Sequence, residues 1–538
     1  MSIQLPHLQS LFTAQLPADP DTSNTCRSVK EAYSWVSPTP TKQSHVICSN
    51  QTLALQLGFT EESLHSDAFS KLVSGNSQDT YSHAYAMNYG GHQFGQWAGQ
   101  LGDGRAINLG QYVVQDQIPL TLQLKGAGKT PYSRRADGMA VLRSSIREYL
   151  CSEAMFHLGI PTTRALSLTL TGEEVVRDKL YDGRADYEPC AIVARVSPSF
   201  LRFGSVQLPA SRGDLTLLKQ TVEYSITQDY PHLLNEQKNI DKTTYLQWFN
   251  EISERTAQLI VEWMRVGFVH GVLNTDNMSL IGETIDFGPY GWIDNFDLNW
   301  TPNTSDAAEK RYRFGQQAYI GQWNLFQLAN AIYPLIDEAQ PLQDILGNYN
   351  QIYQSRWLTM MRNKLGLNTP HSSDAVLNES DLQLSKDLET LLSLVNTDMT
   401  LFYRHLANVT IDMDCHDHTR IKTHFNDCFY DAAEITSNYL TQLSLWLTQY
   451  QQRLHAEALS DAQRKKQMDA VNPCYILRNF QVQEAIELAE QGDYSRVLTL
   501  AELLKTPYQQ QDKYKKFAIK RPDWAMHKFG CSALSCSS

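Results

Sequence analysis

Apolar residues recur at helical spacing over Met139–Leu158, and strand-like apolar runs flank this segment on both sides. The helical pattern is formed by Val141, Leu142, Ile146, Tyr149, Leu150 and Phe156. Gly159 and Pro161 supply a stop signal. The flanking runs are LTLQLKGAG before the helix and ALSLTLTG and CAIVARVS after it. Strands around one helix predict a small, mainly β unit.

Helical periodicity dominates the sequence from about residue 215 onward. Tyr245–Val266 is an amphipathic segment rich in Ile, Leu, Val and Trp, and Gly267 ends it. The next segment, FVHGVLNTDNMSLIGETIDFGPYGWIDNFD, alternates short apolar runs with Asn, Asp and Gly, which is typical of short strands joined by turns. Helical spacing returns after about Trp323 and continues through Leu504. The pattern therefore predicts a mainly helical second half.

Composition and charge restrict the class of protein. The 538 residues are 42% hydrophobic and 19% charged, which is typical of a globular chain long enough for two or more domains. The net charge of -12 argues against a general affinity for nucleic acid or anionic membrane. The sequence has no apolar run of about 18 residues and no secretory signal at its N-terminus. We therefore expect a monomeric cytoplasmic protein that binds neither nucleic acid nor membrane.

Lys125 follows the strand-like run Leu120–Leu124 and precedes the predicted helix. Protein kinases place a phosphate-pairing lysine in this position. Glu148 lies in the middle of the helix, where a carboxylate can hold the ammonium group in place. Glu153 is a competing partner that lies closer to the helix end. Phosphoryl and nucleotidyl transfer both need a cation that holds the phosphates that are not transferred.

A second candidate cluster follows the helix that ends at Gly267. His270 and Asn277 have the spacing of H-R-D-x-x-x-x-N in the kinase catalytic loop, and the tripeptide Asp286-Phe287-Gly288 comes shortly after them. Asn277 and Asp286 are then the oxygen ligands expected for a hard cation, Mg²⁺ or Mn²⁺. The structural alternative is a pair of Asx turns at strand ends.

Val272 departs from the kinase pattern, because it occupies the position of the aspartate that takes the substrate proton. Valine cannot accept a proton. An aspartate stands instead at Asp276, beside Asn277. The sequence therefore predicts a nucleotide cleft in which the proton-handling group has moved, or a cleft that binds without catalysis.

Glycines and cations that can hold phosphate form a third group. Gly102-Asp103-Gly104-Arg105 offers turn amides and a guanidinium fork. The other candidates are Lys129, Arg134, Arg135 and Asp137 before the helix, and Arg195 and Arg202 after it. Any one arginine could form a surface ion pair. Several cations near a glycine turn, in a chain of net charge -12, favour a phosphate pocket.

Four segments make the sequence similar to the selenoprotein O family of pseudokinases. They are GGHQFGQWAGQLGDGRA, LQLKGAGKTPYSRRADGMAVLRSSIREYL, HGVLNTDNMSLIGETIDFGPYGW and NPCYILRNFQVQEAI. The resemblance extends from about Tyr81 to the C-terminus. It implies a kinase-like fold that binds ATP in a reversed orientation. It also implies transfer of AMP, with release of pyrophosphate, to Ser, Thr or Tyr hydroxyls of protein substrates.

The resemblance also implies roles for individual residues. Asp276 matches the family's proton acceptor, and Asn277 and Asp286 match its metal ligands, with Asp286 also at the nucleotide. The family's ATP-binding positions match Gly102, Gly104, Arg105, Lys125, Asp137, Gly138, Arg195 and Arg202, and Glu148 is expected to support Lys125.

The expected fold class is α+β, with a kinase-like two-lobed core. We expect an N-terminal extension over residues 1–78, with a short helix near Asn50–Leu57. A β-rich N-lobe is expected over 79–212 and a C-lobe with the catalytic and metal-binding loops over 213–340. A helical C-terminal region over 341–510 and a tail over 511–538 complete the expected order.

The nine cysteines raise a separate question. Most are single and are expected to be buried thiols. Some members of the family that this sequence resembles carry selenocysteine two residues before the end, where Cys536 stands here. This implies a redox role for Cys536, with Cys531 or another cysteine as its partner; an idle tail is the alternative. Another cluster, DMDCHDH at Asp412–His418, is better explained as the polar start of a helix than as a metal site.

Three other functions stay open from the residues. The chain could be a protein or small-molecule kinase that uses Asp276 as its base. It could be a nucleotide-binding scaffold without activity. It could also act only through the redox chemistry of Cys536, in which case Asp276 would be dispensable.

Overall fold

The computed structural model describes residues 5–77, 83–114, 118–179, 183–367, 375–457 and 459–535. Helices and strands are both abundant, so the α+β class is confirmed. The strands are β1 (Leu8–Gln9), β2 (Ala18–Asp19), β3 (Tyr33–Trp35), β4 (His45–Ser49), β5 (Tyr85–Met87), β6 (Gly90–Gln93), β7 (Gln96–Gln100), β8 (Ala106–Tyr112), β9 (Leu120–Lys125), β10 (Arg164–Asp178), β11 (Ala185–Ser197), β12 (Phe268–Val269) and β13 (Gly291–Trp292).

The helices lie mostly in the second half of the chain, as the periodicity predicts. They are α1 (Gln51–Gln56), α2 (Glu61–Leu64), α3 (Asp67–Ser74), α4 (Leu142–His157), α5 (Phe203–Ser211), α6 (Leu215–Asp229), α7 (Lys242–Val266), α8 (Gln317–Ile336), α9 (Ala339–Leu365), α10 (Ala375–Ser393), α11 (Met399–Leu406), α12 (His418–Phe425), α13 (Ser437–Leu454), α14 (Asp461–Val471), α15 (Asn479–Ala489) and α16 (Ser495–Leu503). In the part of the chain that the structure describes, none of these helices is both long and apolar enough to cross a membrane.

One sheet organises the first part of the chain. Its strand order is β2-β3-β5-β8-β9-β11-β10-β4, and β1 pairs with β8 outside this path. The pairs are antiparallel except for the short β2–β3 pair. Two small ladders, β6–β7 and β12–β13, lie apart from the sheet. Because β1–β4 precede residue 50, the N-terminal segment is part of the sheet and supplies its outer strands.

Alternation along β9 and β11 gives the sheet two faces of different character. Leu122 and Leu124 lie on the face that α1, α2 and α3 cover, within a separate apolar cluster. Gln123 and Lys125 point to the opposite face, against which α4 packs. Arg195 of β11 is in register with Gln123, so it shares that polar face. The strand pattern therefore places the cations of β9 and β11 side by side.

Helix α4 begins after Val141, close to its predicted start, and Gly159 with φ of 79° follows its end. Its apolar stripe packs on β10 and β11. Phe156 does not belong to this stripe, because it is 43% exposed and carries the guanidinium of Arg164 at 3.3 Å from its ring centroid. A ring near a helix end can face solvent and bind a cation instead of packing inward.

Helix α7 has strong signals at both ends. Asp241 accepts a hydrogen bond from the Thr244 N–H and forms a capping box, and Gly267 ends the helix in the left-handed conformation. The buried face of α7 packs against α8 and α9. Farther along the chain, α15 and α16 return to contact α4. The principal apolar core is therefore one cluster in space, and its members come from positions between Phe12 and Phe517.

Cys415 of the DMDCHDH cluster is buried, whereas Asp417 caps α12 through the N–H groups of Thr419 and Arg420. Within the described ranges, His, Cys, Asp and Glu side chains form no group of three or more that could hold a metal ion. Asp417 and His418 are thus the start of a helix, and the preceding residues of the cluster lie in a loop.

A buried ion pair connects two distant helices in the C-terminal region. Asp398 caps α11 and accepts hydrogen bonds from Arg478 at 2.8 and 3.0 Å. Tyr430 donates a further hydrogen bond to it at 2.8 Å. Asp398 has no exposed surface, and Arg478 immediately precedes α15. This pair therefore fixes α15, which in turn contacts α4.

We expect Asp398→Ala to lower the free energy of unfolding by about 3–5 kcal/mol, because it removes the hydrogen-bonded counter-charge of buried Arg478 and leaves it with the more distant Asp294 at 3.6 Å. Urea denaturation followed by circular dichroism measures this change. Asp512→Ala is the matched control, because Asp512 pairs with Lys515 at the surface and its side chain is 93% exposed. Equal midpoints for the two variants would contradict the structural role of Asp398.

Candidate active site

Lys125, Glu148, Arg195 and Asp286 form one buried ionic network. The Lys125 ammonium lies 2.6 Å from Glu148 Oε2, so the pairing predicted from the sequence is present. Arg195 bridges Glu148 at 2.9 Å and Asp286 Oδ1 at 2.7 Å. The alternative partner, Glu153, is engaged elsewhere: it accepts two hydrogen bonds from Arg164 at 3.0 and 2.8 Å.

Arg202 joins the network from the start of α5. It pairs with Asp286 Oδ2, lies 3.5 Å from Asp103 Oδ1, and donates a hydrogen bond to the backbone carbonyl of Asp276 at 2.8 Å. Its guanidinium also lies over the ring of Tyr89, 4.4 Å from the centroid. Arg202 thus connects the DFG segment, the glycine turn and the catalytic loop.

The charges of this network shift the pKa values of its members. Burial alone would raise the pKa of Asp286, but Arg202, Lys125 and Arg195 hold it well below the usual range. Burial lowers the pKa of Lys125, and Glu148 and Asp286 oppose this effect. Asp286 is therefore a stable anion among three cations. Its backbone φ of 58° is unusual for a residue other than glycine, and such strain concentrates at functional sites.

The segment 270–277, which matches the kinase catalytic loop and is called the catalytic loop here, forms a 3₁₀ turn over Thr275–Asn277. Asn277 donates its side-chain N–H to the Val272 carbonyl at 2.8 Å, which leaves Oδ1 of the amide free of this bond. His270 is buried, and its Nε2 lies 3.0 Å from the carbonyl oxygen of Ile285, so the loop is tied to the segment that precedes Asp286.

Asp276 is buried, and burial raises its pKa to about 6 while a hydrogen bond from Gln93 opposes the rise. Gln93 Nε2 donates to Asp276 Oδ2 at 3.3 Å. Among the described residues, no group forms a hydrogen bond with Asp276 Oδ1. An unsatisfied buried carboxylate oxygen is costly, and such atoms in native proteins are frequently functional.

The β6–β7 hairpin covers this loop and is a feature that the sequence prediction missed. The N–H of His92 donates to Thr275 Oγ1 at 2.7 Å, and the N–H of Phe94 donates to Asn274 Oδ1 at 3.2 Å. A Cβ atom at Gly91 would lie 2.6 Å from Asp276 Oδ1, so only glycine permits this approach. The dense glycines of GGHQFG were the available signal for a close contact.

A cavity of about 1020 Å³ opens beside the network. Among the described residues, eight cationic and three anionic side chains line it, although the whole chain is acidic. All the predicted nucleotide-binding residues except Glu148 line this cavity, and so does Asn277. Glu148 lies behind Lys125, 2% exposed. Asp276 does not line the cavity but is next to Asn277, which does.

The glycine turn and the loop before α4 form one wall of the cavity. Gly102 has a φ of 74°, and a Cβ atom there would meet the Tyr132 ring at 2.3 Å. Gly138 has a φ of 79° and packs on the backbone of Gly128. Asp137 accepts hydrogen bonds from Arg177 at 2.7 and 2.8 Å. Arg177 was missed in the sequence because it lies at the distal end of a long strand.

Gln123 and Asp103 were also missed. Gln123 Oε1 accepts a hydrogen bond from Arg195 Nε at 3.0 Å, and Asp103 is buried against Arg202. The alternation of β9 was a usable signal for Gln123, because it stands two residues before Lys125 on the same face.

Of the two tail cysteines, Cys531 is buried against Phe480 and Ala525, and burial raises its pKa to about 12. Its thiol is free within the described part of the chain. Cys536 lies outside the described residues, so its redox role stays a prediction.

Comparison with known proteins gives one consistent result. A family model described as "Protein adenylyltransferase SelO" matches residues 21–505. The chain belongs to the SelO family. Relatives named "Protein nucleotidyltransferase YdiU" include one from Flavobacterium johnsoniae, 50% identical over 532 residues that cover 99% of both chains. Another, from Rhodopirellula baltica, is 49% identical over 536 residues and covers 98% of both.

As a SelO-family member the chain is a nucleotidyltransferase, and adenylyltransfer uses ATP as the source of AMP and a protein as the acceptor. The resemblance seen in the sequence is thereby confirmed over nearly the whole length. Adenylyl transfer needs a site for the nucleotide and a site for the acceptor. The cationic cavity is the candidate for the first, and Asp276, next to the cavity-lining Asn277, is the candidate for the second.

We expect Gly91→Ala to push the hairpin away from Asp276 and to lower the rate of AMP transfer by on the order of 10²-fold, because small displacements of a reacting group are that costly. Steady-state transfer assays with ATP measure the rate. Gly347→Ala is the control: Gly347 is inside α9, where a Cβ atom would meet no described atom within 4 Å. Equal rates for the two variants would show that the hairpin does not position Asp276.

Proposed function

We propose that the cationic cavity binds ATP with a divalent cation and that Asp276 directs a hydroxyl of Ser, Thr or Tyr in a protein substrate onto the α-phosphate. One observation supports this assignment above the others. Asp276 is a buried carboxylate that contacts Gln93 and adjoins Asn277, both of which line the cationic cavity, whereas the usual kinase position holds Val272.

The buried cations suit the leaving group of adenylyl transfer. Lys125, Arg195 and Arg202 come from three different elements and converge on Asp286. Fixed cations in a site shielded from water stabilise charge that builds up on a leaving pyrophosphate. In this proposal the β- and γ-phosphates bind these cations, with the amides of Gly102 and Gly104 and the exposed Arg105 at the entrance. Gly138 allows the backbone to approach the nucleotide, and Asp137 holds Arg177 at the rim.

Asn277 and Asp286 fit a divalent cation. Both present oxygen atoms to the same cavity, and Asp286 stays ionised because its pKa is held well below the usual range. Mg²⁺ is commonly held by one or two protein oxygens, with phosphate oxygens and water completing its shell. When bound, such a cation supplies Lewis-acid stabilisation of phosphate charge.

Asp276 would act on the acceptor hydroxyl. The hydroxyl oxygen attacks the α-phosphorus, and the bond from the α-phosphorus to the bridging oxygen of the β-phosphate breaks. The hydroxyl proton passes to the Asp276 carboxylate, and pyrophosphate leaves with the electrons of the broken bond. Gln93, which lines the cavity, donates a hydrogen bond to Oδ2 and orients the carboxylate.

We also propose that the architecture is kinase-like and two-lobed. The sheet with α4 supports this for an N-lobe over 79–212, and α7 with the 268–292 segment supports it for a C-lobe over 213–340. The remaining proposed units are 1–78, 341–510 and 511–538. The Lys125–Glu148 pair and the order of the loops are what a kinase-like core requires.

A kinase that uses Asp276 as its base is the main alternative, and the position of the label in ATP separates the two reactions. We expect protein incubated with α-phosphate-labelled ATP and Mg²⁺ to retain label, because the α-phosphate stays on the acceptor. Protein incubated with γ-labelled ATP should retain none. Intact-mass analysis of the product checks the result independently. Retention of the γ label would establish phosphorylation and overturn the proposal.

We expect Asp276→Asn to lower kcat by about 10²–10⁴-fold, since the amide keeps the shape of the side chain but cannot accept the proton. The affinity for ATP, measured by calorimetry, should stay near that of the wild type because Asp276 does not line the cavity. Asp414→Asn at the surface is the control. Full activity of Asp276→Asn would exclude this residue as the proton acceptor.

A further inference from the structure

Helix α8 exposes large aromatic side chains along one face. Ile320, Leu325, Leu328 and Ile332 point into the core, whereas Tyr319 and Phe326 are 57% and 50% exposed. Trp323, which is partly buried, and Tyr333, which is 42% exposed, continue the same face at helical spacing. Single exposed apolar residues are ordinary, but a contiguous apolar patch marks an interaction surface.

The exposed face of α8 continues onto the β6–β7 hairpin. The His92 ring lies 5.0 Å from Trp97 and 5.5 Å from Trp323, measured between ring centroids. Phe94 and Trp97 are each 39% exposed. We call the set Phe94, Trp97, Tyr319, Trp323, Phe326 and Tyr333 the aromatic strip.

The strip begins beside the candidate proton acceptor. Phe94 follows Gln93, whose amide contacts Asp276. The backbone of Phe94 has a φ of 50°, a strained conformation for a bulky residue. Its N–H is fixed by Asn274 Oδ1 and by the hydroxyl of Tyr312 at 2.9 Å. The fold therefore maintains strain at an aromatic residue directly after Gln93, the residue that contacts Asp276.

Positive charge borders the strip. Lys310, Arg311 and Arg313 lie within four positions of the sequence, and Arg311 lies over the Trp323 ring at 4.7 Å from the centroid. Lys310 and the adjacent Glu309 are both exposed, and the acidic side chain of Asp306 accepts hydrogen bonds from the backbone N–H groups of Arg311 and Tyr312. The three cations outnumber these two acidic residues by one. In a chain of net charge -12, this basic border favours a partner segment that carries acidic residues.

We propose that the aromatic strip is the docking surface for the protein substrate. It receives a segment whose apolar or aromatic side chains lie near the acceptor hydroxyl, with acidic residues beside them. The inference rests on the proposed function. The position of the strip favours this occupant, because Phe94 directly follows Gln93, whose amide contacts Asp276. A second copy of the enzyme on the same surface would block the approach of a substrate.

The probe is a library of peptides that each carry one central serine or tyrosine between randomised positions. The library is incubated with α-phosphate-labelled ATP, Mg²⁺ and either the full-length wild type or the double variant Tyr319→Ser/Phe326→Ser. We expect the wild type to favour peptides with aromatic or large aliphatic residues, and Asp or Glu, about tenfold over peptides with Gly and Ser at these positions, which corresponds to the loss of one good apolar contact. The double variant should lose the apolar preference and keep its affinity for ATP.

Leu445→Ser is the matched control, because Leu445 is 59% exposed on α13, away from the strip, and its variant should keep the wild-type preference. Self-labelling of the enzyme is measured in the same reactions. If neither enzyme nor peptides retain label, the proposed function fails and the docking surface with it. If label is transferred but the double variant keeps the preference, or the wild type labels only itself, the docking surface is overturned and the transfer chemistry stands. A dimer in light scattering that the double variant abolishes, with peptide selection unchanged, would assign the strip to a second copy instead.

Discussion

The rest of the site depends on one carboxylate, Asp286, which is shared by three cations from separate parts of the chain. Lys125 arrives on β9, Arg195 on β11 and Arg202 at the start of α5. Burying each cation without an opposite charge would cost free energy, and Asp286 supplies an opposite charge to all three. Their common partner therefore holds the sheet, α4 and the catalytic loop in one arrangement, and the nucleotide cavity forms around it.

The same arrangement explains how a buried cluster can bind an anion. Among the described residues eight cationic and three anionic side chains line the cavity, so an excess of positive charge faces it. Phosphate oxygens can take over hydrogen bonds that Arg195 and Arg202 now donate to Asp286. In the proposed function the carboxylate would then be available for a hard cation, and nucleotide and metal binding would support each other.

Local patterns of the sequence predicted which residues meet at the candidate site better than they predicted how the fold brings them together. Lys125, Glu148, Asn277 and Asp286 lie in motifs whose spacing is set by single strands, helices and loops. Gln93 could not be predicted in this way, because it meets Asp276 across 183 positions of sequence. Strands β1–β4 have two to five residues each, too few to show alternation, so the contribution of the N-terminal segment to the sheet was missed. Phe156 matched the helical period, but the period does not show which turns of a helix are exposed to solvent.

The contact of α15 and α16 with α4 has a consequence for when the enzyme becomes active during synthesis. Helix α4 carries Glu148 and lies between the sheet and these two helices, which end at residue 503. The first few hundred residues to leave the ribosome include the candidate site motifs. They do not include α15 and α16, which pack against α4. Glu148, which α4 carries, is thus held against Lys125 by a fully supported helix only after residues up to 503 have been synthesised and packed.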